Sequence, residues 1–244
     1  MIASSVIRGL VMKPMKRAAA SLFTVAILAW CPEGLAAERA VPRDQIPMYG
    51  HGETPKFFGP GGERFIREAT RAFGSREAGS EAFARRAWDL YERDDLAAAM
   101  RRFNEAWLLN PHAAQAYWGF GAILHDQGKV HEALVMLSRA WALDPANPRL
   151  MADLARVMSQ EGSTGPADER ERYFAKARDL FEQASVLDPN NGHSYSLWAL
   201  ALYDQGQYAR SWEKVHKAQD LHEVIPPTFL RMLRDKMSEP TRSE

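Results

Sequence analysis

His131 and Glu132 stand side by side in the stretch VHEALVM. A hydrolytic zinc centre on a helix would add a second histidine four positions after the first, putting two imidazoles on one face with the carboxylate beside them to activate water. That position is Val135, so the pair stands alone. The other histidines, at 51, 112, 125, 193, 216 and 222, are scattered, and only His216 and His222 come near ligand spacing. Gly59, Gly61 and Gly62 in FGPGGE lack the Lys-Ser/Thr of a phosphate loop and follow no strand pattern. There is no Gly-x-Ser-x-Gly elbow, and the single cysteine, Cys31, directly follows an apolar N-terminal run. Carboxylate pairs such as Asp94-Asp95 fall where turns are expected. The expectation is a protein that is not an enzyme, with no metal site and no cofactor. What remains is recognition chemistry: aromatic rings and arginines, densest in Tyr117-Trp118-Gly119-Phe120-Gly121.

The elements that position those rings have to come from 244 residues, 46% hydrophobic and 25% charged, an ordinary globular composition. Thirty-one basic residues balance thirty-one acidic ones, which gives no support to nucleic-acid binding. The first 37 residues differ from the rest. Arg8, Lys13, Lys16 and Arg17 precede the apolar run Ala18 to Trp30, and CPEGLAA follows. This is the three-part pattern of a secretory signal, its core too short to span a bilayer. Cleavage after Ala36 or Ala37 removes Cys31 and leaves a slightly acidic chain suited to an oxidising compartment, the periplasm. A rival reading takes LAWC as a lipoprotein box with Cys31 lipidated, although Trp30 occupies a position that normally holds a small residue.

Three joints recur along the rest: LLNPHA, ALDPAN and VLDPNN. Pro111 and Pro145 are 34 residues apart, and Pro145 and Pro189 are 44 apart, one period plus ten. A proline-closed period near 34 marks a stacked helical hairpin. Aligned on the prolines, four units emerge: 80–113, 114–147, 148–191 and 192–225. They repeat large and small residues in register, from Phe83, Ala87, Leu90, Ala99, Phe103 and Ala106 in the first to Tyr195, Trp198, Ala199, Leu202, Gly206, Tyr208 and Ala218 in the last. The ten extra residues of the third unit fall in its hairpin turn, predicting a long second helix over 166–187.

This pattern resembles the tetratricopeptide repeat family, whose signature places aromatic, Leu-Gly, Tyr, Gly, Ala, aromatic, Ala and Pro at these spacings. Arg86, Ser211 and Glu223 depart from it. The resemblance implies an all-α fold: a right-handed α-solenoid of three to four stacked hairpins, with a partner-binding concave groove. In that frame Tyr117, Phe120 and Gly121 are interior. The groove-facing positions carry Trp88 and Tyr91 in the first unit, Trp118, His125 and Asp126 in the second, Arg149 and Arg156 in the third, and Tyr203 in the fourth, with Glu92 and Asp204 beside them. Those residues are the expected partner-binding set, for a protein or peptide ligand and not for nucleic acid. Lysines and asparagines that clamp a C-terminal carboxylate elsewhere in the family are absent, their places taken by Ala84, Trp88, Trp118, Ala122, Ala152 and Arg156.

Around the repeats, 38–62 is rich in Pro and Gly and reads as an extended arm. Residues 63–79 form a lead-in whose helix over 63–73 is stopped by Gly74. A capping helix is expected within 226–238, followed by a loose tail, 239–244. The sequence therefore describes an exported interaction scaffold. Two alternatives follow from the flanks: an envelope assembly factor on the membrane, through a lipidated Cys31 or an uncleaved signal, and a self-associating protein whose arm fills the groove with Tyr49, Phe57 and Phe58.

Overall fold

The computed structural model describes residues 41–50 and 59–241. The segment expected to be a signal peptide, with Cys31, and Phe57 and Phe58 of the expected arm lie outside the described residues. Within them the chain is all-α, with ten α-helices and no strand. After α1 (Gly59–Phe73) come four hairpins: α2 (Arg76–Glu92) with α3 (Leu96–Leu109), α4 (Ala114–Asp126) with α5 (Val130–Leu143), α6 (Pro148–Thr164) with α7 (Arg170–Leu187), and α8 (Gly192–Asp204) with α9 (Tyr208–Asp220). A last helix, α10 (Pro227–Lys236), closes the stack. Helix α1 begins before Glu63 because Pro60 fits a first helical turn, where no amide donor is needed.

Local chemistry sets the hairpin ends. Ser75, Asp95, Asn147 and Asn191 each accept a hydrogen bond from a first-turn amide of the helix they precede. Three of the hairpins turn through a left-handed residue at the same place in the period: Gly128 at φ 75°, Gly206 at φ 74° and, without glycine, Asp94 at φ 66°. The third unit departs from this. Gly162 stays inside α6, its α-carbon against the Phe174 ring, and the turn is made by Pro166 to Glu169, whose amide donates to the Pro166 carbonyl at 3.1 Å. The extra residues thus lengthen both helices, and α7 starts at Arg170 rather than 166.

The first helices of successive hairpins pack on one another, α2 on α4, α4 on α6 and α6 on α8, whereas no pair of second helices makes comparable contact. The first helices therefore form an inner layer and the second helices an outer one. The core runs between the layers as edge-on aromatic contacts: Trp88 with Phe103 at 5.1 Å, then Phe103 with Phe120 at 6.3 Å. Gly119 faces the Phe103 ring so closely that a Cβ would sit 2.1 Å from it, and Gly121 meets Leu137 in the same way at 2.6 Å. Both helix-interior glycines are thus explained by packing, which offsets their propensity cost of about 1 kcal/mol each.

The arm is not extended over the residues described. Arg43–Gln45 form a 3-10 turn and Pro47–Gly50 an irregular left-handed turn, both packed against α3 in the outer layer, so Tyr49 does not enter the inner face. Asn104, fully buried on α3, holds them. Its side-chain amide donates to the Asp44 and Ile46 carbonyls at 3.0 and 2.9 Å and accepts from the Tyr49 amide at 3.3 Å. Met48 and Tyr49 both take φ 54°, a conformation that costs a non-glycine residue about 1 to 3 kcal/mol. The Asn104 bonds and the burial of Met48 oppose that strain.

Replacing Asn104 by leucine should lower the unfolding free energy by about 1 to 3 kcal/mol in urea titrations, because two carbonyls lose their buried donor. Trypsin should then cut sooner at Arg43. An unchanged midpoint and cleavage rate would mean the arm is not held there.

Candidate functional site

The inner face is built from α2, α4, α6 and α8, and side chains bridge every step between them. Trp88 Nε1 donates to Gln115 Oε1 at 2.8 Å, joining α2 to α4. Trp118 Nε1 donates to Asp153 Oδ2 at 2.6 Å, and His125 Nε2 pairs with Gln160 Oε1 at 2.8 Å, joining α4 to α6. Arg156 donates to Asp204 Oδ2 at 2.6 Å, and Gln205 Nε2 to Ser159 Oγ at 2.9 Å, joining α6 to the end of α8. Trp88 and Trp118 also meet edge-on, with ring centroids 5.1 Å apart.

The chemistry at each step follows from burial. Asp153 is almost fully enclosed, and burial raises its carboxyl pKa, opposed by nearby His193, the Trp118 hydrogen bond and Arg149. Its Oδ1 has no hydrogen-bond partner among the described residues. His125 shifts the other way: burial and the Arg156 guanidinium lower its pKa, against the Gln160 bond that raises it. The imidazole therefore bridges α4 and α6 as a neutral ring at pH 7.

These positions correct the expectation of open aromatic anchors. Tyr91 is 2% exposed, Arg156 6%, and Trp88 and Trp118 8% each, so they form the floor of the inner face. His125 and Asp126 show only the edges of their side chains. Tyr203 packs on Phe229 of α10, with ring centroids 5.7 Å apart. Of the residues expected to bind a partner, only Arg149, in the first turn of α6, and Glu92 and Asp204, at the ends of α2 and α8, are exposed. The structure adds Gln115, Asp153, Ser159 and Gln160, which sequence reasoning missed. Asp153 carried a signal: an acid flanked by Ala152 and Leu154 on an apolar helix needs a partner.

Among the described residues, no three His, Cys, Asp or Glu side chains gather as a metal site would require, and no helix is long and apolar enough to cross a membrane. Residues 124–169, from the end of α4 to the turn before α7, match a family model described as tetratricopeptide repeat. None of the curated proteins matches the sequence significantly. Among solved structures, a crystal structure of MamA is similar at 19% identity with a TM-score of 0.45, covering 66% of this chain and 86% of that one.

An Asp153→Asn variant keeps the acceptor for Trp118 and removes the penalty of burying a charge. The wild-type penalty is absent below the unfolded pKa of about 3.9, grows as pH rises toward the raised folded value, and is complete above it. Chemical unfolding should therefore show the variant more stable than wild type at pH 7, with a margin that shrinks as pH falls toward 4. A constant margin would contradict the carboxyl's burial.

Proposed function

We propose that the chain, whose residues 124–169 match the tetratricopeptide repeat, is an exported, non-enzymatic scaffold of that kind that docks a protein or peptide segment along its inner face. The observation that carries this reading is the set of side-chain bridges spanning every inner-layer step, from Trp88–Gln115 to Arg156–Asp204. A wall cross-linked in this way is already ordered, so a partner segment loses little additional entropy on docking. The partner meets the rim rather than the floor. Arg149 at the start of α6, and Glu92 and the outer edge of Asp204 at the ends of α2 and α8, offer charge-assisted hydrogen bonds at the two ends of the face, whose floor includes Trp88 and Trp118. The N-terminal segment, with its basic start, short apolar run and Ala-rich end, supports the reading of export to the periplasm.

Trp118→Ala is a poor probe of this reading, since removing a buried indole should itself cost about 3 to 5 kcal/mol. A photo-crosslinking residue at position 149 avoids that confusion. Partners captured from periplasm at position 149, and missed by the same group at the exposed outer position 178, would support docking at the inner face. Equal capture at both positions, or none at 149, would overturn it.

A further inference from the structure

A separate opening lies where the arm meets α3, the end of α4 and α5. The turns at 43–50 do not lie flush on the helices but roof a cavity of about 720 Å³. That volume is in the range of pockets that hold a small ligand. Ile46, Pro47 and Met48 form the roof, and Leu96, Met100, Leu124 and Met136 the floor and far wall. Three of these are methionines, whose unbranched side chains adapt to a flexible apolar guest. Polar groups sit at the edge: the Gln45 and Gln127 amides, Lys129 and Glu132. Both amides and the ammonium can donate hydrogen bonds, and Glu132 is the only fixed negative charge among them. Lys129 also precedes the first turn of α5 without a side-chain cap on that turn, so the helix end adds positive potential to the same edge.

We propose that this cavity binds an anionic amphiphile with a single alkyl chain, the chain lying between the arm and α3–α5 and the carboxylate held at the edge by Lys129 and Gln127. The site adjoins the end of α4 through Leu124 and Gln127, and its roof depends on the bonds that Asn104 makes to the arm.

The test is titration of the full-length mature chain with hexadecanoate below its micelle concentration, followed by calorimetry. Saturable one-to-one binding is expected. Lys129→Gln should weaken it about threefold and Glu132→Gln tighten it by a similar factor, both at exposed positions that leave the melting temperature unchanged. Filling the wall with Met136→Trp should weaken binding at least tenfold while the helical circular dichroism and melting curve stay close to wild type. The proposal is overturned if wild type shows no saturable binding, if a folded Met136→Trp chain binds as well as wild type, or if both charge variants leave the affinity unaltered. Binding of an apolar peptide but not of hexadecanoate would also overturn it, and would assign the cavity to protein contact.

Discussion

One helical hairpin cannot cover its own apolar face; only the next hairpin can. Everything in this structure follows from that constraint. The inner helix α4 must lie close to the outer layer, which requires glycine at 119 and 121, where larger residues would strike Phe103 and Leu137. The outer helices supply those large residues. The stack must also end, and α10 ends it by burying Phe229 and Leu233, with the Trp212 indole donating to the Met237 carbonyl at 3.1 Å.

Close approach brings polar side chains into places where water is scarce, and there an unpaired group is costly. The inner face responds with paired groups at each step. Trp118 is the clearest instance: its ring fills the seam between α2 and α4 while its N–H reaches Asp153 on α6. A single side chain thus couples three hairpins. The same pairing takes Arg156 out of the set available to a partner, since Asp204 already holds it. A face that could have been a row of free anchors is a cross-linked wall with charged groups along its rim.

The period of 34 between Pro111 and Pro145 and the small residues in register were enough to locate four hairpins in the sequence, because those features are dictated within each unit. The helix boundaries of the third unit were less legible, since its extra residues could be absorbed by either helix and the contact of Gly162 with Phe174 decides the outcome. Groove positions were legible as positions but not as exposures. Trp118 looks available until Asp153, 35 residues later, is brought against it. Asn104 shows the same limit from the outer side, where its partners are carbonyls 58 and 60 residues earlier in an arm with no regular pattern. Contacts of that range have no local signature.

The central claim, that the inner-face polar residues tie hairpin to hairpin, is tested most directly by a double-mutant cycle on Arg156→Gln and Asp204→Asn, read as unfolding free energies in urea. The pair, 2.6 Å apart with Arg156 buried, should show a coupling of about 1 to 3 kcal/mol. Strict additivity of the two substitutions would contradict the account, leaving Arg156 and Asp204 as neighbours that do not hold α6 to α8.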